Sequence, residues 1–124
     1  MADLESRADV FTKDEPETVV VVRLTGEVDL TTAEHAADRL RAAEAAAVAD
    51  PPAVVVLDLS RVTFLGSVGL AMMVEHDQLC AAVGSRLCVV VGDNRSVWRP
   101  IQVARLDTVL TIVPTFPLPH NDID

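Results

Sequence analysis

A serine between two glycines offers the most specific chemistry in this sequence. Ser67 stands between Gly66 and Gly69, and an apolar run over residues 54–60 precedes all three. A hydroxyl in such a place can act as a nucleophile, help to hold a phosphate group, or accept a covalent modification. Each of these roles requires different neighbouring residues.

A catalytic serine would require a base and a sharp turn, and the sequence indicates neither. The nucleophile pattern G-x-S-x-G needs glycine where this chain has Leu65. The histidines form no recognisable triad arrangement. Helical periodicity places His35 and His76 on helix surfaces, and His120 lies in a proline-rich segment. We therefore expect that the protein is not an enzyme.

A phosphate-binding loop is not indicated around Ser67 either. The pattern G-x-x-x-x-G-K-[ST] is missing, and Lys13 is the only lysine of the chain. N–H groups at a helix start can still hold an anion, so a small ligand or nucleotide at this position stays open as a weaker alternative. The sequence indicates no metal site and no cofactor.

Covalent modification of Ser67 agrees best with its surroundings. In the first turn of a helix a hydroxyl stays near the surface, and flanking glycines would leave room for another protein's active site. Phosphorylation adds about −1.5 to −2 charges, which a helix N-terminus tolerates but an apolar interface does not. One modification could thus leave the fold intact and release a partner docked on Val68 and Met72. The alternative is that Ser67 serves only as a helix cap.

Strands and helices alternate along the chain around this serine. Strands are predicted over residues 18–25, 53–59, 86–91 and 108–113, with a short edge strand at Val10 and Phe11, and helices over residues 31–49, 67–83 and 96–106. This pattern predicts one α/β domain with a mixed, mostly parallel sheet of about four to five strands and three main helices. In such a sheet, function is expected where a central strand meets a helix.

Local patterns set the expected boundaries of these elements. Gly26 ends the first long strand, and Thr31 and Glu34 form a T-x-x-E capping box at the start of the first helix. Pro51 and Pro52 stop that helix. A loop is expected over residues 61–63, between the central strand and the serine.

The helix that begins at Ser67 has apolar residues on two faces. One face carries Leu70, Met73, Val74, Cys80 and Ala81, and the opposite face carries Val68, Met72, Leu79 and Val83. The second face either packs beneath another part of the chain or forms an exposed docking strip beside Ser67. Both alternatives stay open.

Composition and charge limit the classes of function. The chain has 124 residues, 50% of them apolar, which indicates one compact domain. Its 19 acidic and 10 basic residues give a net charge of −9, which argues against nucleic acid as a partner. No apolar run approaches the roughly 20 residues that span a bilayer, and the acidic start of the chain does not resemble a signal peptide. We therefore expect no membrane partner and a cytoplasmic location.

Cys80 and Cys88 are too few for a disulfide framework and lack zinc-ligand spacing. They are either two buried thiols that pack as small apolar residues or a redox switch.

Three segments together resemble a known family. They are LTGEVDL at residues 24–30, VVLDLS at 55–60 and VTFLGSVGL at 62–70. The combination is similar to the STAS domain of the anti-sigma factor antagonist family, and the resemblance covers roughly residues 8–113 in unbroken order. We accordingly assign residues 1–113 to a STAS domain and residues 114–124 to a proline-rich tail.

The resemblance implies a regulator that binds another protein. Family members bind an anti-sigma factor, usually a serine kinase with the histidine-kinase-like ATPase fold, and so release its sigma factor. That kinase inactivates the antagonist by phosphorylating the serine that matches Ser67, and a metal-dependent phosphatase restores it. Asp29 matches an acidic position beside the docking surface, and Asp58 matches the end of the central strand. The expected partner-binding residues are Asp29, Asp58, Gly66, Val68, Gly69 and Met72.

The chain departs from the family's usual pattern at three places. Gly66 stands where aspartate is usual, Val68 stands where serine or threonine is frequent, and the proline-rich tail replaces a C-terminal helix. The alternatives to a phosphorylated antagonist are a STAS scaffold that is not phosphorylated and a module that responds to oxidation of its cysteines.

Overall fold

A computed structural model of the protein describes residues 18–49 and 53–116. The strands are β1 (Thr18–Val28), β2 (Ala53–Leu65), β3 (Arg86–Val90) and β4 (Thr111–Val113), and the helices are α1 (Ala33–Val48), α2 (Ser67–Ala82) and α3 (Arg95–Val103). A short 3₁₀ turn, Leu106–Thr108, leads into β4. The edge strand expected at Val10 and Phe11, the prolines expected to stop α1, and residues 117–124 of the tail lie outside the described residues.

The four strands form one parallel sheet in the order β1-β2-β3-β4. A helix joins each strand to the next, as the alternating pattern predicted. The predicted α/β fold with three main helices is therefore confirmed, and within the described part of the chain every strand pair is parallel. None of the described helices combines the length and the apolar character needed to cross a membrane.

The helices cover one face of the sheet. On β2, Val55 and Leu57 face the helices and join the main core, whereas Val54 and Val56 face the other side. Both sets are almost completely buried. The near-unbroken apolar run of this strand therefore results from burial on two faces.

β1 and β2 are both longer than the strands predicted over residues 18–25 and 53–59. Gly26, expected to end β1, lies inside it with a φ of 76°, and residues 61–63, expected as a loop, continue β2. The register between the two strands shifts twice over this stretch, which is the geometry of a β-bulge. As a result β1 and β2 end side by side at Val28 and Leu65, with no loop between β2 and the turn into α2.

α2 buries one stripe rather than two faces. The buried residues are Gly69, Met72, Met73, His76 and Cys80. Leu79 and Val83 stay about half exposed, so the second apolar face is neither wholly covered nor a continuous exposed strip.

The surface position predicted for His76 is wrong. Its side chain is buried between α2 and α1, and its Nδ1 atom lies 2.5 Å from Oε2 of Glu44. The two residues connect neighbouring helices on the same side of the sheet. Helical periodicity places polar residues on the surface. It could not show that His76 is buried, because the residue that pairs with it, Glu44, lies on another helix.

We expect Glu44→Ala to lower the free energy of unfolding by about 1–3 kcal/mol, because it leaves the buried imidazole of His76 without its hydrogen-bond partner. Glu44→Gln keeps an oxygen at the same place and should lose less. Urea denaturation of both variants at one pH measures the difference. Equal stability of Glu44→Ala and the unmodified protein would contradict a contribution from this pair.

Candidate functional site

Ser67 is the first residue of α2, and its side chain is exposed. The helix N-cap is Gly66, with a φ of −84° and a ψ of 176°, so Ser67 does not cap the helix. Within residues 18–49 and 53–116, no side chain or backbone group is hydrogen bonded to the Ser67 hydroxyl. The hydroxyl is therefore accessible to another protein.

The ends of β1 and β2 hold this serine in place. The N–H of Gly66 donates a 2.9 Å hydrogen bond to the carbonyl oxygen of Val28, which pairs with Leu65 across the two strands. One turn later, a Cβ atom at Gly69 would lie 2.7 Å from Cδ1 of Leu65 and 2.9 Å from Cγ1 of Val28. Gly69 thus lets α2 approach the sheet closely. It is buried and serves packing rather than contact with a partner.

Opposite Ser67, Asp29 organises the turn before α1. Its Oδ1 accepts hydrogen bonds from the Thr31 hydroxyl (2.8 Å), the Thr31 N–H (2.9 Å) and the Thr32 N–H (3.3 Å). These bonds, chiefly the one from the Thr31 hydroxyl, hold the pKa of Asp29 below its ordinary value. The capping box predicted from Thr31 and Glu34 is wrong, because the N-cap is Thr32 and Asp29 satisfies the first N–H groups instead.

A shallow depression of about 370 Å³ lies between this turn and the start of α2. Its lining, which we call the Ser67 surface, consists of Asp29, Leu30, Thr31, Phe64, Gly66, Ser67 and Val68. Leu30 is 83% exposed and Phe64 is 51% exposed. Two large apolar side chains beside an accessible hydroxyl are the features of a surface that a protein partner covers.

Among the described residues, the Ser67 surface has neither a free catalytic base nor a cluster of metal ligands. Asp29 is its one ionisable side chain, and its carboxylate oxygen is engaged by Thr31 and Thr32. In the described part of the chain, no group of three or more His, Cys, Asp or Glu side chains converges as metal ligands would. A hydroxyl without a base beside it is better suited to be modified by another protein's catalytic groups than to attack a substrate.

Three members of the Ser67 surface, Leu30, Thr31 and Phe64, are not predicted as site residues from the sequence. Leu30 and Thr31 lie in the turn after β1, and Phe64 lies in β2 beyond the register shifts between the two strands, which the sequence does not show. In the structure, Val62 and Leu65 are buried three positions apart, so Phe64 falls outside the two-residue alternation of a regular strand.

Met72 and Asp58 do not line the Ser67 surface. Met72 is 6% exposed and packs in the helix-side core, so the expected docking strip does not continue along α2 beyond Val68. Asp58 lines a separate depression on the other face of the sheet. There its Oδ1 accepts hydrogen bonds from the N–H and hydroxyl of Ser60 (2.9 and 2.7 Å), and Oδ2 lies 3.6 Å from Nε of Arg23. Asp58 therefore supports the shape of β2.

The two cysteines lie on opposite faces of the sheet. Cys80 packs in the helix-side core, whereas Cys88 packs with Val54 and Val56 on the other face, and both thiols are free. Burial raises the pKa of both thiols, that of Cys80 to about 11, where the Glu44 carboxylate adds to the effect. Since the sheet separates them, a disulfide within the chain would require unfolding. The geometry gives the redox alternative no support.

Comparison with known proteins agrees with the fold. A family model described as "Mlab, STAS domain" matches residues 11–114. The chain belongs to the STAS domain family. The resemblance noted in the three sequence segments is thereby confirmed.

Relatives of this STAS domain include named regulators. The anti-sigma-F factor antagonist RsfB of Mycobacterium tuberculosis is 37% identical over 98 residues, which are 78% of this chain and 75% of RsfB. The crystal structure of an anti-sigma factor antagonist from Mycobacterium paratuberculosis is 34% identical, with a TM-score of 0.66 over 83% of each chain. The anti-sigma factor antagonist SpoIIAA in its unphosphorylated form shares the fold, with a TM-score of 0.58 over 90% of each chain at 21% identity.

The two glycines beside Ser67 in this STAS domain should respond differently to alanine. We expect Gly69→Ala to lower the free energy of unfolding by about 1–3 kcal/mol, because the new methyl group overlaps Leu65 and Val28. Gly66→Ala should cost less than about 1 kcal/mol, since its methyl group would meet the ring edge of the exposed Phe64 at 3.2 Å and the Val28 carbonyl oxygen at an ordinary 3.5 Å. Urea denaturation compares the two variants. If Gly69→Ala proved as stable as Gly66→Ala, the close approach of α2 would not be a constraint.

Proposed function

We propose that this STAS domain is an anti-sigma factor antagonist that is switched by phosphorylation of Ser67. In its unmodified form it binds an anti-sigma factor, and the sigma factor held by that protein is released. The observation that carries the proposal is the exposed Ser67 hydroxyl between the exposed side chains of Leu30 and Phe64. The names of the M. tuberculosis and M. paratuberculosis relatives support the same function. Its place of action is the cytoplasm, where sigma factors bind RNA polymerase.

Apolar contact supplies the affinity in this proposal. Leu30 and Phe64 project from two different elements, and Val68 fills the surface between them at the start of α2. Complete burial of a leucine side chain contributes about 1.5–3 kcal/mol, and Leu30 has most of its surface still to bury. The turn held by Asp29 is rigid before binding, so little conformational entropy is lost when the partner docks.

Phosphorylation opposes the same contact. A phosphate on Ser67 carries about −1.5 to −2 charges and would stand beside the Asp29 carboxylate, whose lowered pKa keeps it ionised at neutral pH. The N–H groups of Ser67 and Val68 form no hydrogen bond with the described residues, so α2 can accommodate the phosphate without loss of fold. A partner surface that covers Leu30 and Phe64 would have to desolvate this charge. The fold therefore persists while the complex separates.

The partner supplies the chemistry that the Ser67 surface lacks. We take the anti-sigma factor to be a serine kinase with the histidine-kinase-like ATPase fold. Its base accepts the hydroxyl proton as the Ser67 Oγ–phosphorus bond forms and the bond between the γ-phosphorus and ADP breaks. A metal-dependent serine phosphatase reverses the change by hydrolysis.

Substitutions at Ser67 test the switch. Ser67→Ala should bind the anti-sigma factor about as tightly as the unmodified chain and take up no phosphate, whereas Ser67→Glu should bind at least about tenfold more weakly, a difference of about 1.4 kcal/mol. Purified anti-sigma factors of the source organism, incubated with each variant and ATP, provide both measurements. Calorimetry gives the affinity, and mass spectrometry locates the phosphate.

Two results would contradict the switch. One is equal affinity of Ser67→Glu and Ser67→Ala, and the other is phosphate uptake that persists in Ser67→Ala. Binding without any phosphate uptake at Ser67 would favour the alternative of a STAS scaffold that is not phosphorylated.

Leu30→Ser tests the docking surface without altering charge. We expect it to weaken binding by about tenfold or more and to leave stability within about 0.5 kcal/mol, because the side chain is exposed in the unbound protein. Val103→Ser is the matched control, since Val103 is 78% exposed at the end of α3 and does not line the Ser67 surface. A loss of affinity in Val103→Ser equal to that in Leu30→Ser would place the partner elsewhere.

A further inference from the structure

Asn94 connects α3 to β2 as well as capping its own helix. Its Oδ1 accepts a 3.0 Å hydrogen bond from the N–H of Ser96 in the first turn of α3. Its Nδ2 donates to the carbonyl oxygens of Leu59 (2.9 Å) and Val62 (2.7 Å). The amide oxygen of Asn94 must face the N–H donor and its NH₂ group must face the two carbonyl acceptors, so the neighbouring groups determine the orientation of the amide.

The two carbonyl groups belong to a part of β2 that the neighbouring strand does not reach. The pairing of β2 with β3 ends at Asp58 and Val90. On the other side, Arg23 pairs with Asp58 and Thr25 with Arg61, so two residues of β2 stand opposite one residue of β1. A bulge leaves backbone groups without ladder partners. Asn94 supplies donors where β3 has ended.

The turn that carries Asn94 also packs closely against this bulge. A Cβ atom at Gly92, whose φ is 59°, would lie 3.1 Å from Cβ of Ser60. Asp58 lines the same depression as Ser60 and Gly92 and accepts two hydrogen bonds from Ser60. Residues 59–62 are therefore held by the β3–α3 turn and by a carboxylate of β2 itself.

The bulge is connected to the Ser67 surface without an intervening loop. β2 continues from Val62 through Phe64 to Leu65, and α2 starts two residues later. A displacement of the bulge would be transmitted along β2 to Phe64 and Ser67, at the point where β2 still pairs with the end of β1. We propose that Asn94 is a positioning residue that, through the bulge of β2, sets the positions of Phe64 and Ser67 on the Ser67 surface. Its effect on partner affinity rests on the proposed function.

Two substitutions that preserve the helix cap test this role. Asn94→Asp keeps an acceptor for Ser96 N–H but places carboxylate oxygens against the two carbonyl groups. Asn94→Ser is also a good cap, adds no charge and is too short to reach β2, so it replaces the aspartate variant if that fails to fold. Val97→Ala, which shortens a fully buried residue of the same helix, is the control for a general loss of stability.

The readouts are amide chemical shifts in nitrogen-15 NMR spectra and affinity for the anti-sigma factor, both measured where each variant is fully folded. We expect the Asn94 variants to shift the amide resonances of Phe64, Gly66 and Ser67 and to weaken binding about tenfold. Val97→Ala should leave those resonances and the affinity unchanged.

Unchanged amide resonances at Ser67 in both Asn94 variants would overturn the inference, and so would equal shifts in Val97→Ala. Unchanged affinity, in an unmodified chain that does bind, would overturn the effect on the partner. If the unmodified chain binds no anti-sigma factor, the proposed function fails, and the amide shifts alone still decide whether Asn94 positions Ser67.

Discussion

The close approach of α2 to the ends of β1 and β2 is the constraint on which the Ser67 surface depends. Gly69 removes the side chain that would keep the helix away, and the hydrogen bond from Gly66 to Val28 fixes where the helix begins. β1 leads into the Asp29 turn, and β2 leads into α2. The contact of α2 with the two strand ends therefore sets the distance between the Asp29 turn and Ser67. A larger side chain at position 69 would separate the strand ends from the helix that displays Ser67.

This arrangement separates the groups that stabilise the domain from the hydroxyl at which we propose that it is switched. The groups that hold α2 in place, namely Gly69, Met73 and the pair of His76 with Glu44, are buried beneath the helix. The hydroxyl that we propose as the phosphate acceptor lies outside them and contributes no hydrogen bond to the described fold. A charge added there acts mainly on what docks from outside. A domain regulated as proposed could be modified repeatedly without unfolding, because no hydrogen bond of the described fold has to break.

The sequence predicted the fold more completely than the site. Alternating apolar runs located every described strand and helix, and the glycine-flanked serine was correctly placed at the start of a helix. The errors follow from what periodicity cannot show. His76 was assigned to the surface, and Met72 was expected to contact a partner, because helical spacing gives the faces of a helix but not the elements that cover them. Phe64 was overlooked because it lies beyond two register shifts, and a shift of one residue exchanges the faces of a strand. Leu30 was overlooked because it lies in a turn, where strand and helix periodicity do not apply.

Gly66 stands where aspartate is usual in the family, and the structure around it is compatible with glycine. Its backbone is extended, so a side chain is compatible with its φ and ψ, but a Cβ atom would stand 3.2 Å from the Phe64 ring. An aspartate would add a better helix cap and a second carboxylate beside Ser67, and it would displace the ring from its present position. With glycine, the cap is weaker, Phe64 lies against the backbone, and Asp29 remains the one fixed charge beside the hydroxyl. In this chain, the exposed ring of Phe64 therefore occupies space that a side chain at position 66 would need.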